Sequence, residues 1–357
     1  MVTTRLMRLS TFFLFCTAFS LLLFSTCPLA ADLIWTPQGG WHVEGGVLAG
    51  LSGDDGRNAL ELMNKARTAE EAGHQRNALS LYSKVTKRYP NSVFAAEALY
   101  RTGTIRQKRR QYYKAFETYQ QMLARYPNSE KFTQVIGEQY RIANQLFEGK
   151  RSRIWGIFPG FRNREKALEY FETIVHTAPY SDYAPLSLIN ASKGYKQIGE
   201  SEAAIDALDR MINTYPRNVL TPDAYLKIAQ THTSLVDGPA YDQASTKQAI
   251  TYYEDYMILF PGDAGMASAE KGLANMKKVL AQSKMTMADY YFKYRRNYKA
   301  AKIFYNEAIT VYPDSEIATQ ARNKLTVVDA KLDAQSALPA SKPKPIKPQK
   351  KKRLWLF

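Results

Sequence analysis

Cysteine is nearly absent from this chain of 357 residues, and histidine is scarce. The two cysteines, Cys16 and Cys27, both lie near the N-terminus, so the chain beyond them has no disulfide and must be stabilised by packing alone. The four histidines are far apart in the sequence, whereas a metal site needs several convergent ligands. The sequence therefore predicts no metal site and no other cofactor.

The short motifs of common catalytic sites are also missing. There is no glycine-rich phosphate loop ending in Lys-Ser or Lys-Thr, no His-Glu-x-x-His and no Gly-x-Ser-x-Gly. The acidic pair Glu70-Glu71 fits a solvated helix surface better than a pair of catalytic carboxylates. We therefore expect a protein that is not an enzyme and that acts by binding.

What the chain does contain is a repeat, in which Ala is followed four residues later by an aromatic residue or Leu and eight residues after that by Pro. Six copies occur, at Ala78/Tyr82/Pro90, Ala115/Tyr119/Pro127, Ala167/Phe171/Pro179, Ala204/Leu208/Pro216, Ala249/Tyr253/Pro261 and Ala301/Tyr305/Pro313. This is the second half of the tetratricopeptide pattern, in which the small residue admits a neighbouring helix and Pro ends the second helix of each pair. The sequence predicts an all-α, right-handed superhelical solenoid of about six helix pairs, followed by a capping helix over roughly Glu316–Ala334.

The chain divides into four predicted regions. Residues 1–31 have the layout of a secretory signal peptide, residues 32–56 form an arm rich in Gly and Trp, residues 57–334 form the solenoid and residues 335–357 form a disordered tail. Cys27 is a candidate lipid-attachment site, but cleavage after Ala30 or Ala31 fits the local sequence better. An uncleaved membrane anchor remains an alternative, although the apolar run is short for a spanning helix.

The arm raises two alternatives for its tryptophans. The glycines of residues 32–56 exclude a helix, and the alternating run Trp41-His42-Val43-Glu44 supports at most one short strand. The favoured interpretation is a partly ordered linker. In the other, Trp35 and Trp41 dock onto a partner or back onto the first repeat.

The positive charge of the chain is concentrated at its ends. The formal net charge is +16, but seven cations lie in the last sixteen residues, so the body is only mildly basic. The tail ends in Leu354-Trp355-Leu356-Phe357, and it is either a solvated extension or a segment that binds an anionic membrane surface or a partner groove. We expect no nucleic-acid partner, because no recognition module is present.

The repeat period fails at specific places. Successive repeat prolines are 37, 52, 37, 45 and 52 residues apart, so a basic unit of 37 residues carries insertions. The first insertion, Lys150 to Phe161, combines cations with aromatic residues and is a candidate contact loop. The third insertion is predicted to lengthen a helix, over residues 266–283. The proposed contact residues of the loop are Arg151, Arg153, Trp155 and Phe158.

The first helix of each pair (helix A) lines the concave face in this architecture, and its side away from the second helix (helix B) is free to bind ligands. Helix register assigns eight residues of the first three units to this groove, and their mixed polar and aromatic character suits an extended peptide. These residues are Met63, Arg67, Glu70, Tyr100, Thr104, Gln107, Arg141 and Asn144.

The helix-B ends and the late repeat carry a family resemblance. The ends are Tyr89-Pro90-Asn91-Ser92, Tyr126-Pro127-Asn128-Ser129 and Tyr312-Pro313-Asp314-Ser315, and the late repeat adds Ala288-Asp289-Tyr290-Tyr291-Phe292-Lys293 and Tyr298-Lys299-Ala300-Ala301. Over residues 57–330 the chain resembles the BamD family, the periplasmic tetratricopeptide subunits of the machinery that assembles outer-membrane β-barrels.

This resemblance implies a location on the periplasmic side of the outer membrane. It also implies two protein partners, namely the barrel-forming assembly subunit at the C-terminal repeats and nascent barrel proteins at the N-terminal ones. The expected function is therefore a non-catalytic scaffold for barrel assembly. The alternative is a periplasmic repeat scaffold that coordinates cell-envelope or division machinery, because the Tyr-Pro-x-Ser endings also occur in such proteins.

Overall fold

The computed structural model describes residues 32–44, 54–154 and 157–337. The predicted signal peptide, Cys27, Trp155 and the tail from residue 338 lie outside the described residues.

Thirteen α-helices follow one another in the described part of the chain. They are α1 (Asp54–Glu71), α2 (Gln75–Arg88), α3 (Phe94–Lys108), α4 (Tyr112–Arg125), α5 (Phe132–Phe147), α6 (Arg164–Thr177), α7 (Tyr183–Gln197), α8 (Ser201–Thr214), α9 (Thr221–Ser234), α10 (Ala244–Leu259), α11 (Met266–Tyr290), α12 (Tyr298–Val311) and α13 (Glu316–Ala337). The order gives six consecutive A/B pairs and one further helix, so the predicted all-α fold class is confirmed.

Proline sets the end of every B helix. Helix α2 ends at Arg88, and Tyr89 leaves the helical conformation immediately before Pro90, with φ −127° and ψ 57°. Helices α4 and α12 end in the same way, each two residues before the repeat proline. The cause is steric, because the proline ring disfavours a helical conformation at the residue that precedes it.

The small and aromatic positions of the repeat are core positions. All six repeat alanines are completely buried, and the aromatic or Leu partner is at most 3% exposed in each copy. Two A helices pass very close to these rings. A Cβ atom added to Gly103 would lie 2.2 Å from the Tyr119 ring, and one added to Gly272 would lie 2.3 Å from the Tyr253 ring. Glycine therefore permits the helix contact at both places.

The described residues form two compact units, which are divided between Ser187 and Leu188. The core of the first unit includes Met63, Tyr82 and Phe94. In the second unit, Tyr253 and Tyr256 centre one cluster, and a second cluster joins α11, α12 and α13. Helix α13 contributes Ala321 and Val328 to that last cluster, as expected of a capping helix.

The arm before α1 is a β-hairpin, which corrects the prediction of a partly ordered linker with at most one strand. Strands β1 (Asp32–Thr36) and β2 (Gly40–Glu44) are antiparallel, and Trp35 pairs with Trp41. Trp41 is 4% exposed and belongs to the core of the first unit, and its backbone N–H donates to Asn64 Oδ1 of α1 at 2.7 Å. The tryptophans thus dock onto the first repeat.

The predicted lengthening before residue 285 is present as α11, a single helix of 25 residues. A π-helical turn, Tyr291–Arg295, follows it and ends at Arg296, whose φ of +50° is left-handed. The Asn297 side chain then accepts a hydrogen bond from the Ala300 N–H at 3.1 Å and caps α12. Neither the π-turn nor this cap was part of the sequence prediction.

Candidate functional site

The predicted groove residues of α1 are less accessible than the register suggested. Met63 is fully buried and packs in the core, so its assignment to the groove is corrected. It lies four residues after Ala59 and three before Ala66, both also fully buried, so these three residues form the core-facing stripe of α1.

The hairpin covers Arg67, and Glu70 is satisfied internally. Arg67 Cζ lies 4.3 Å from the centroid of the Trp35 ring, and Arg67 Nε is 2.9 Å from Glu71 Oε1. Glu70 accepts a hydrogen bond from the Tyr82 hydroxyl at 2.9 Å. Burial, and then the charge of Glu70, raises the pKa of Tyr82 well above its ordinary value, so this phenol stays a neutral donor. On α1 these two predicted binding residues therefore have structural partners.

Polar side chains on α3 and α5 join into a continuous surface, which we call the polar ridge. Its members are Tyr100, Thr104, Gln107, Gln134, Glu138 and Arg141. Gln134 Nε2 donates to the Tyr100 hydroxyl at 2.7 Å, and Gln107 Nε2 donates to Glu138 Oε2 at 2.9 Å. The ridge therefore brings four predicted groove residues, Tyr100, Thr104, Gln107 and Arg141, onto one surface of the first unit.

The repeat aromatic Tyr119 supports the ridge from below. Its hydroxyl donates to Gln107 Oε1 at 3.0 Å and lies 3.3 Å from Thr104 Oγ1. Burial raises the pKa of Tyr119 well above its ordinary value, so the hydroxyl keeps its proton and orients Gln107. Arg141 is more exposed and pairs with Glu138 at 2.6 Å. Asn144, the remaining predicted residue, is half-buried one turn further along α5.

Three charged residues, Glu97, Arg101 and Lys131, extend the polar ridge toward the hairpin of β1 and β2. Glu97, only 3% exposed, binds Arg101 Nε at 2.7 Å and lies 3.5 Å from Lys131 Nζ. Lys131 in turn lies 5.0 Å from the Tyr100 ring centroid, and Arg101 lies 5.6 Å from the Trp41 ring centroid. Sequence reasoning missed this group, although the i, i+4 spacing of Glu97 and Arg101 could have indicated it.

The insertion between α5 and α6 forms a second, smaller hairpin, which we call the insertion hairpin (residues 150–154 and 157–162). Strand β3 (Arg153–Ile154) pairs with β4 (Phe158–Pro159), and Ile154 lies opposite Phe158. Of the predicted contact residues, Arg151 and Arg153 are exposed and Phe158 is 57% exposed, whereas Trp155 lies outside the described residues. The insertion therefore presents both cations and apolar side chains to solvent.

An exposed aromatic surface lies at the end of α11, and the sequence had not assigned it to a site. Tyr294 is 78% exposed and its ring centroid lies 5.9 Å from that of Tyr290. Met287, which precedes Tyr290 by three residues on α11, is also exposed. Below this surface, Asp289 binds Lys324 Nζ of α13 at 2.7 Å and accepts a hydrogen bond from the Tyr305 hydroxyl. We call Met287, Tyr290 and Tyr294 the late-repeat surface.

Two negative findings apply to the residues that the structure describes. In those residues, no three His, Cys, Asp or Glu side chains converge as metal ligands would. None of the described helices has the length and apolarity that a membrane crossing requires.

Comparison with protein families gives two matches. Residues 161–337 match the model of the outer membrane lipoprotein family YfiO, and residues 62–92 and 97–129 match tetratricopeptide repeats. The family match includes the late-repeat surface, and the tetratricopeptide match covers α2, α4, most of α3 and the second half of α1.

Known proteins with a related sequence are named as outer membrane protein assembly factor BamD. The protein from Caulobacter vibrioides is 27% identical over 132 residues, which cover 37% of this chain and 43% of the relative. That from Rickettsia prowazekii is 24% identical over 161 residues, or 45% of this chain and 64% of the relative. The matched segments thus span between about two fifths and two thirds of these relatives.

Solved tetratricopeptide structures are also similar at a low level. One, from Parabacteroides merdae, is 12% identical, covers 76% of this chain and 99% of its own, and has a TM-score of 0.31. The fold assignment rests on the helix pairs and the family match.

Proposed function

Because the chain is a member of the BamD/YfiO family through residues 161–337, we propose that it is a protein-binding scaffold, without catalytic activity, for the assembly of outer-membrane β-barrels. The family match is the observation that carries the proposal, and the BamD relatives named above support it. The scaffold would work on the periplasmic side of the outer membrane.

The late-repeat surface is the best candidate for the barrel-forming assembly subunit. It lies within the family match and presents two tyrosines and one methionine to solvent. Aromatic residues in exposed clusters are frequent anchors of protein interfaces, because they bury a large area at a small entropic cost. The Asp289–Lys324 ion pair fixes the helix end from which these side chains project.

The polar ridge is the candidate surface for nascent barrel proteins. Tyr100, Gln134 and Arg141 offer side-chain donors at its outer edge, and an unfolded strand presents unpaired backbone carbonyls to such donors. Contacts to backbone are independent of the bound sequence, which suits a scaffold that receives many different barrel proteins.

Attachment to the outer membrane would follow from acylation of Cys27. The intact mass of the mature protein tests this point. Acylation predicts an N-terminal cysteine with added lipid mass, whereas cleavage after Ala30 or Ala31 predicts an unmodified N-terminus. The scaffold proposal itself does not depend on the outcome.

Site-specific photocross-linking in intact cells tests the proposed function. A cross-linker at Tyr294 should capture the barrel-forming assembly subunit, and a cross-linker at the exposed Val219, outside the late-repeat surface, should not. Captured peptidoglycan enzymes in place of the assembly subunit would instead support a scaffold for cell-envelope or division machinery, and would contradict the proposal.

A further inference from the structure

The insertion hairpin is held rigidly at its base. The Arg153 N–H donates to the Arg110 carbonyl at 2.7 Å, and the Gly160 N–H donates to the Ser152 carbonyl at 2.8 Å. Ser152 is buried, and a Cβ atom at position 160 would lie 2.6 Å from the Ser152 carbonyl oxygen. Arg110 adopts a left-handed φ of +57°, although it is not a glycine. The hairpin is therefore anchored in one orientation on the loop between α3 and α4.

Cations surround this base. A cleft of about 610 Å³ is lined by Arg110, Lys150, Arg151, Arg153 and Arg162, and no carboxylate is among its lining residues. Among the described residues, the four arginines form no ion pair, while Lys150 lies 3.6 Å from the exposed Glu148. The site is thus strongly positive and its charge is largely uncompensated.

The outer part of the hairpin is apolar. Ile154, Ile157 and Phe158 are each more than half exposed, and they are the described residues that adjoin the tip. By strand register, Ile154 and Phe158 share one face, whereas Arg153 and Pro159 share the other and line the basic cleft. Along the hairpin, apolar side chains therefore lie outermost and cations lie behind them.

We propose that the insertion hairpin binds an anionic phospholipid surface, with Ile154, Ile157 and Phe158 inserted among the acyl chains and the basal cations on the headgroup phosphates. Apolar side chains backed by a layer of Lys and Arg match the polarity profile of a membrane interface. An acidic protein partner would pair with the cleft, but it would give no reason for three exposed, large apolar residues beside it. The hairpin would add a second attachment point on the folded body.

A fluorescent label at position 157 tests insertion directly. The full chain, with Cys16 and Cys27 replaced by Ser, carries a nitrobenzoxadiazole label on Ile157→Cys, and the matched control carries it on Val219→Cys. With phosphatidylglycerol vesicles, the label at position 157 should shift its emission to shorter wavelength and be quenched by spin-labelled acyl chains. The label at position 219 should do neither, even when the tail holds the chain on the vesicle.

Vesicle flotation tests the contribution of the charges. Arg151→Glu with Arg162→Glu should reduce binding of the full chain to phosphatidylglycerol vesicles by at least about tenfold, because each basic residue near the surface contributes to attraction. The exposed control Arg217→Glu should change it much less, and pure phosphatidylcholine should bind little of either protein.

Two results would overturn the proposal. One is a vesicle-bound chain whose label at position 157 stays in water. The other is binding that depends on Arg151 and Arg162 but that inorganic phosphate or a free acidic peptide abolishes at unchanged ionic strength, which would assign the cleft to a soluble anion.

Discussion

The guanidinium carbon of Arg67 lies 4.3 Å from the centroid of the Trp35 ring, so an arginine on the first helix is covered by the strand that precedes it. A cation over an indole face is stabilised by the ring quadrupole. The same guanidinium also pairs with Glu71. The first repeat thus binds the arm of its own chain at a position that would otherwise be open to a ligand.

Replacing Trp41 by Ala should release the hairpin. Trp41 is almost completely buried, and the loss of its contacts should cost about 3 kcal/mol of stability. Amide hydrogen exchange should then accelerate in β1, β2 and α1, while α4 keeps its protection. The control Tyr180→Ala, at a fully exposed side chain, should leave the exchange of all these elements unchanged. Unaltered protection of α1 in the Trp41 variant would contradict the docking.

Gly103→Ala should destabilise the first unit by about 1 to 3 kcal/mol, because the added Cβ would overlap the Tyr119 ring. Gly262→Ala is the matched control, because a Cβ there meets no atom within 4 Å. Thermal unfolding of both variants checks the comparison. Equal melting temperatures would show that the helices are not in close contact at Gly103.

Asp289 should make the late repeat sensitive to acid. Burial opposes its charge, but hydrogen bonds from Lys324 and Tyr305 outweigh that effect and lower the pKa of Asp289 below its ordinary value of 3.8. A lowered pKa in the folded state contributes stability above pH 3.8, and this contribution is lost as the pH falls through the folded value.

The variant Asp289→Asn should therefore be less stable than the natural chain at pH 6, and the difference should shrink toward pH 3. Urea unfolding at the two pH values measures it. The exposed Asp314→Asn serves as the control and should track the natural chain at both. If the loss of stability in the Asp289 variant is the same at both pH values, the charge of Asp289 does not stabilise the late repeat.

Deletion of residues 342–357 should leave the melting temperature unchanged, because the pattern of Lys and Pro in this segment cannot form a packed core. The deletion should weaken association with anionic vesicles, since it removes seven cations. Flotation with phosphatidylglycerol vesicles checks this. Unchanged flotation would make the tail a solvated extension.

Local sequence signals were sufficient for the helix pairs. The spacing from Ala78 to Tyr82 and Pro90 specifies a packing contact and a helix end within thirteen residues, and the structure confirms both. The lengthened α11 could also be predicted from the sequence, because no proline interrupts it.

The docking of the N-terminal hairpin onto the first repeat could not be predicted from local sequence signals. It depends on a hydrogen bond from the Trp41 N–H to Asn64, which is 23 residues away, and on the turn before Gly40, where φ is +68°. Met63 was misassigned because the helix register was taken to place it on the open side of α1, whereas the buried stripe of this helix runs through Ala59 and Met63. The π-turn after α11 has no known local signature in this sequence.

Depletion of the protein tests the central claim most directly. If the chain is a scaffold for β-barrel assembly, the amounts of barrel proteins in the outer membrane should fall on depletion, and a copy of the natural gene should restore them. Quantitative proteomics of outer-membrane fractions makes the measurement, with lipoproteins that are not barrels as the internal reference. Barrel proteins that stay at their normal levels after depletion would contradict the account.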